Sequence, residues 1–440
     1  FTIENKSNET YKYNIVIQDL VNTFVTNGYL QYKITSTNGG YNMTEFKDVP
    51  KSETAKDTIL AYSVSIPVVV TQSYTVEFKY SNDESVDQSE DMGKTLSGKL
   101  FITEGTEEPT LLSQILKDNP TRSTRSNNNN GTNDFATPLT TTTTGTLFTS
   151  TESITGITDS PKEVYYFAGN TTNNWVKFAN LYWRIIRTNH DGSIRLLYVG
   201  TSHDTTSGNI GESAFNTNSN SPKYVGYKYG EDTSLDTIRN NTTDSTIKTF
   251  IDSWYQNNLT NYTKYLSTSA VYCNDRSEGT GQTYSASSKF NFASYYRMDW
   301  DTDGAKANPS YNCTNIKDAF SVDNTSAKLD YPIALMTADE IAYAGGVAFQ
   351  KMSTPYAWFI SNSTGSQVSS NWWSLSPIYW NGSYTLVWDW SSGLADLDFH
   401  TATDALGVRP AISLKFCIKY STGNGTYNEP YEIKETSSGC

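Results

Sequence analysis

The sequence predicts a multidomain, β-rich chain, with an all-β sandwich first and an α+β domain after it. Three observations carry this. Charged residues make up only 18 % of the 440 residues, and Asn, Thr, Ser and Tyr fill the space they leave, a composition that fits secreted β proteins better than helical enzymes. Residues 1–104 alternate apolar and polar in short runs broken by turn clusters. Helical periodicity is scarce and falls in the remainder of the chain, where further strand patterns surround it. One core does not usually grow to this length, so two or three domains are expected.

In the first segment, "YKYNIVIQDL", "LQYKITST", "LAYSVSIPVVV", "SYTVEFKY" and "GKLFITEG" read as strands, and "TNGG" and "NDESVDQSED" as turns. Six or seven strands at this spacing predict an antiparallel sandwich. Residues 105–160 change character. "TLLSQILKDNP" (Thr110–Pro120) predicts a short amphipathic helix stopped by proline. "STRSNNNNGTND" and "TTTTTGT" are polar and repetitive, with nothing to bury, so a linker or long loop is expected.

Residues 161–440 form the α+β part. Two apolar strands flank "NHDG", where Asp191-Gly192 signals a hairpin turn. His190 in that turn reads as solvated. Ile247, Phe250, Ile251 and Trp254 fall at helical spacing, with Asp244 or Ser245 as N-cap. In "TADEIAYAGG", Thr337 and Glu340 predict a capping box, and Gly345-Gly346 the helix end. Beyond Trp358 only strands and loops are expected.

The composition excludes several functions. A net charge of −13 without a basic block argues against nucleic acid and anionic membranes as partners. No long apolar run is present, so a membrane would be reached only through a segment outside this chain. No nucleophile elbow, zincin, P-loop or dinucleotide motif occurs, and the histidines number three, His190, His203 and His400. A binding protein rather than an enzyme is expected. Cys273, Cys313, Cys417 and Cys440 contain no CxxC pair, which argues against zinc. They suit two disulfides. Sequence order favours Cys273–Cys313 and Cys417–Cys440 among the three possible connectivities, and four buried thiols are the alternative.

One further cation is suggested. Asp299, Asp301 and Asp303 before Gly304 match the opening of a calcium loop, in which alternate oxygens converge as glycine turns the chain. Ser310 stands where a bidentate Glu would be required, and no flanking EF-hand helices are evident.

The densest stretch is "NWWSLSPIYWNGSYTLVWDW" (Asn371–Trp390), with five of the ten tryptophans and a single carboxylate. Trp372, Trp373 and Trp388 read as core. "IYWNGSY" (Ile378–Tyr384) reads as a loop mixing rigid aromatics with small polar groups, the mixture that binding loops use. In "LADLDFHT", Ala395, Leu397 and Phe399 alternate with Asp396, Asp398 and His400, so a half-buried strand presents Asp, Asp and His on its open face.

"NWWSLSP…GVRPAISL", with "YYFAGNTTNNWVKFANLYWRIIRTNHDGSIRLLY", "YPIALMTADEIAYAGG" and "STPYAWF", resembles the C-type-lectin-fold variable proteins of diversity-generating retroelements from Gram-positive gut bacteria and their phages. The resemblance spans about residues 110–440. It implies a C-type lectin-like domain whose frame is Trp372, Trp373, Gly407, Val408, Arg409 and Pro410. Between them would lie a diversifiable ligand-binding face drawn from Ile378, Tyr379, Trp380, Asn381, Ser383, Tyr384, Trp390, Asp396, Asp398, His400, Thr401 and Thr403. The first domain is similar to camelysin/TasA-like β-sandwiches of Gram-positive surface fibres, through "VSIPVVVTQSYTVEFKY" and "DMGKTLSGKLFI". The calcium-dependent sugar motifs of animal C-type lectins are absent; "NEP" (Asn428–Pro430) has the letters in another order and place. The resemblance implies an extracellular or surface-displayed protein with a protein or cell-surface ligand. A glycan-binding lectin or adhesin, with calcium at Asp299–Asp303, and a structural fibre subunit are the alternatives.

Overall fold

The computed structural model describes residues 1–126 and 133–440, which form two compact units, Phe1–Glu108 and Pro109–Cys440. The chain is β-rich in both. No helix among the described residues is long and apolar enough to cross a membrane.

The first unit has two antiparallel sheets. One orders Ser52–Ile66, Tyr11–Asn22 and Leu96–Glu104; the other orders Thr2–Glu4, Thr71–Tyr80, Leu30–Ser36 and Lys47–Asp48. Strand periodicity sends Tyr13, Ile15 and Ile17 of one sheet and Leu30, Tyr32 and Ile34 of the other into one shared core.

The second unit begins earlier than the composition suggests. The helix Leu111–Asp118 is present, capped by Thr110, whose side chain accepts from the Ser113 N–H. Where a linker was expected, Thr121–Thr124 and Thr146–Glu152 run as parallel neighbours at the end of a ten-stranded sheet. Polarity misleads here because threonine is β-branched and pairs readily along a strand. The Asn-rich part of that stretch, residues 127–132, lies outside the described residues.

In the same sheet Leu181–Thr188 and Ile194–Gly200 form the hairpin around Asp191-Gly192. His190 is not solvated as expected. Its side chain is buried, and Nδ1 lies 3.3 Å from Glu152 Oε2. Glu152 in turn pairs with Arg187, which also bonds Glu340. The helix Thr246–Asn258 takes Ser245 as its cap. Ala338–Ala344 shows the reciprocal Thr337/Glu340 box, and its Ala338 N–H donates to Ser376 Oγ, which docks this helix on the aromatic strand Trp372–Trp380. Two shorter helices, Leu235–Ile238 and Ala293–Arg297, lack a long enough repeat to be read from sequence. The disulfides are Cys273–Cys313 and Cys417–Cys440, with Cα–Cα distances of 5.8 and 5.5 Å.

A second sheet orders Glu212–Ala214, Ala405–Gly407, Trp372–Trp380, Thr385–Ser391 and Asp396–Thr401, with Phe290–Asn291 also paired to Trp372–Trp380. Val408 and Arg409 carry the chain from Ala405–Gly407 in this sheet to Pro410–Leu414 in the ten-stranded one. Gly407 is required at the crossing: a Cβ there would meet Asn371 O at 2.7 Å and Asn209 Nδ2 at 2.8 Å. Arg409 Nε and Nη2 donate to Tyr198 O at 3.3 and 3.1 Å, and Nη1 donates to Phe359 O. Its guanidinium also lies 5.1 Å from the Trp372 ring centroid.

Candidate functional site

The strands Trp372–Trp380, Thr385–Ser391 and Asp396–Thr401 form an antiparallel meander. The first turn is tight. Asn381 Oδ1 accepts from the N–H groups of Ser383 and Tyr384, both at 2.8 Å, and Gly382 takes φ +95°. Asp396–Thr401 is the last strand of the sheet, and its outer edge is bridged at Leu397, which bonds Val347 O and the Phe349 N–H.

Register sorts the side chains. Trp388 lies opposite Phe399 and Trp390 opposite Leu397, so these four share one face with Trp372, which opposes Trp390. Asp389 opposes both Trp373 and Asp398, and Val387 opposes His400, so these occupy the other face.

Part of the expected binding face is core. Ile378, Trp380 and Trp390 are buried. The first strand continues through Trp380, so the loop shrinks to the residues after it. Trp390 follows Trp388 at period two and meets Phe359 edge-on at 4.8 Å. Asp396 is also sunk, at 5 % exposure. Surface remains at Ser383, Tyr384 (44 % exposed) and Thr403, and half-exposure at Tyr379, Asn381, Asp398, His400 and Thr401.

On the tryptophan face, an aromatic cluster extends from the core to solvent. Trp300 lies 4.5 Å from both Phe349 and Phe399 and 5.9 Å from Tyr379; Tyr379 lies 5.8 Å from Phe399. All four are half-buried, and Lys289 Nζ stands 5.3 Å from the Tyr379 centroid. Sequence reasoning missed Trp300, Phe349 and Phe399 as parts of one surface. No repeat links such distant segments; the sole signal was an exposed-type turn carrying a tryptophan.

The acidic turn is therefore next to the meander, and two of its carboxylates hold hydrogen bonds within the chain. Asp299 Oδ2 accepts from the Lys306 N–H at 2.6 Å and from the Thr302 hydroxyl. Asp301 Oδ1 accepts from the Tyr295 hydroxyl at 2.7 Å. Among the described residues, Asp244, Asp252 and Asp330 are the three whose ligand oxygens come within 4.8 Å of one another. Lys248 Nζ occupies that centre, at 3.0, 2.5 and 2.7 Å from them. Asp299, Asp301 and Asp303 do not bring three carboxylate oxygens within 4.8 Å of one another.

The other face is acidic. His400 Nδ1 lies 2.8 Å from Asp389 Oδ1. Burial, reinforced by Asp398 and Asp404 and opposed by His400, pushes Asp389 up to about 6. Burial, then the charges of Asp398 and Asp389, pushes Asp396 up to about 7. The hydrogen bond that Asp389 accepts from His400 raises the imidazole above its ordinary value. This face can exchange protons near neutrality and offer carboxylate oxygens to a cation, while the opposite face offers rings for stacking. Asp389, the one carboxylate of the aromatic stretch, is placed by its alternation with Trp388 and Trp390 but was not expected among the site residues.

No family model matches the sequence, and neither a curated protein nor a solved structure is significantly similar to it.

Proposed function

We propose that this is an extracellular or cell-surface ligand-binding protein whose second unit, of C-type lectin-like architecture, presents the meander to a protein or other cell-surface ligand, with the first unit as stalk or attachment module. The observation that carries the reading is the layering at the meander. A fully buried tryptophan frame supports a surface of mixed aromatic and polar side chains, Tyr379, Tyr384, Asp398, His400, Thr401 and Thr403. Side chains on a rigid frame can change without loss of the fold, which is what a diversifiable face requires. Two disulfides are compatible with an oxidising, extracellular setting.

The half-exposed rings of Tyr379, Phe399 and Trp300 favour a second reading, a glycan stacked on aromatics. A glycan array probed with the labelled chain, with and without chelator, together with binding to intact bacterial and epithelial cells, separates the two. Protein recognition predicts cell binding without glycan hits. Tyr379→Ala and Tyr384→Ala should each reduce binding at least tenfold while leaving the melting temperature within a few degrees. Full binding by both variants would overturn the assignment of the face.

A further inference from the structure

The acidic face of the meander contains acceptors that lack donors. Asp389 and Asp398 are register partners on adjacent strands, where like charges repel. Asp396 follows the same alternation as Asp398 and faces this pair, and Asp404 adds its charge from the turn. Against these stands His400, the one ion-pair partner of the four carboxyls among the described residues. Asp389 Oδ2 and Asp396 Oδ1 are both buried and accept no hydrogen bond. Asp396 makes no side-chain hydrogen bond to another residue, although it is almost wholly buried. A buried carboxylate oxygen without a donor is expensive to maintain, so these two point to a group absent from the chain itself.

The chemistry that would complete the cluster is cationic and rich in donors. A metal ion needs its ligand atoms in one coordination sphere, and no trio from these residues comes within 4.8 Å. A guanidinium carries five N–H donors on a planar fork and can bridge more widely spaced carboxylates.

We propose that this face binds a basic side chain of a protein partner, a guanidinium foremost, which pairs directly with the half-exposed Asp398 beside His400, while Asp396 and Asp389, whose unpaired oxygens are closed to solvent, supply the negative charge behind it. The proposal rests on the reading of the meander as a ligand-binding surface and names the ligand chemistry of one side of it.

Agmatine is a suitable probe, since it presents a free guanidinium and can be added to the full chain at pH 7.5. The chain has three histidines, and His400 alone stands on this face. Its imidazole resonances, assigned with His400→Gln, are followed by NMR. Saturable shifts of His400 with His190 and His203 unmoved are expected. Asp398→Asn, at a half-exposed position, and Asp396→Asn, at a buried one, should each weaken agmatine at least tenfold. The absence of a saturable shift would overturn the proposal, as would equal affinity in a folded Asp398→Asn chain. Calcium or manganese excluding agmatine at micromolar concentration would also overturn it, assigning the face to a metal. Where a cell-surface ligand has been found, its survival at saturating agmatine removes this site from recognition without touching the ligand-binding function. Agmatine binding with no cell-surface ligand keeps the site and sinks the function.

Discussion

Trp300 packs against Phe399 with ring centroids 4.5 Å apart, which ties the acidic turn Asp299–Asp303 to the outer strand of the meander. Phe349 meets the same indole at 4.5 Å, edge-on. The turn and the strand are thus one aromatic unit, and the turn's conformation is fixed by packing as well as by its carboxylate hydrogen bonds. Trp300→Ala removes the ring shared by five aromatic neighbours, Phe399, Phe349, Tyr379, Tyr295 and Trp388. A fully buried aromatic would cost about 3–5 kcal/mol, and a half-buried one about 2–3 kcal/mol. Urea unfolding measures this, and a loss under about 0.5 kcal/mol would show that the contact carries no weight.

The acidic face sets an unusual dependence on pH. Asp389 and Asp396 rise from 3.8 to about 6 and about 7 in the folded chain. The folded state therefore holds more protons than the unfolded state across that interval. The stability this confers is complete below about pH 4 and is lost as pH rises through 6 and 7. His400, also raised, acts in the same direction. All ten tryptophans lie in the second unit, so tryptophan fluorescence reports its melting selectively. The midpoint should be lower at pH 8 than at pH 5.5, and Asp396→Asn should narrow the difference by stabilising the chain at pH 8. A midpoint that climbs over this range contradicts the account.

Arg409 makes a different demand. It is buried with no carboxylate paired to it among the described residues, and burial lowers it to about 9. Its fork serves two carbonyls, Tyr198 O and Phe359 O, from separate segments. A lysine keeps the charge but concentrates its donors at one point and loses the planar contact with Trp372. One carbonyl would then lack a donor, at about 1–3 kcal/mol. Arg409→Lys should therefore destabilise the second unit by about 2 kcal/mol, seen in fluorescence-monitored urea unfolding, with the first unit unaffected by circular dichroism. An unchanged midpoint would mean that the fork is dispensable.

These relationships differ in how far the sequence exposes them. The alternation of Thr385–Ser391 and Asp396–Thr401 is visible in the residues, and with it the two faces. It also places Trp390 with Trp388 in the core, where the composition of a binding loop suggests otherwise. The end of the first strand was not visible, because "IYWNGSY" carries both strand-forming aromatics and a turn-forming Asn-Gly, and tertiary packing by Phe290–Asn291 decides for strand through Trp380. The contact of Trp300 with Phe399 joins distant segments and leaves no periodic trace. The same holds for Thr146–Glu152, whose threonines look like linker until a neighbouring strand supplies their partners.

The Cys273–Cys313 bridge closes a loop of 40 residues that includes Ala293–Arg297 and the Trp300 turn. Loop-closure entropy for this length amounts to about 4 kcal/mol of destabilisation of the unfolded chain. The bridge also joins Tyr272–Cys273 to the segment beside Ala319–Phe320, which pair as short strands. Cys273→Ser together with Cys313→Ser should lower the stability of the second unit by about 3–4 kcal/mol, and it should loosen the turn that holds Trp300 against Phe399. Hydrogen exchange then distinguishes a local from a global effect. Faster exchange confined to residues 274–312 marks loss of the loop constraint, whereas uniform acceleration across the second unit marks its whole stability. Exchange in 274–312 as slow as in the native chain would mean that packing alone holds the turn.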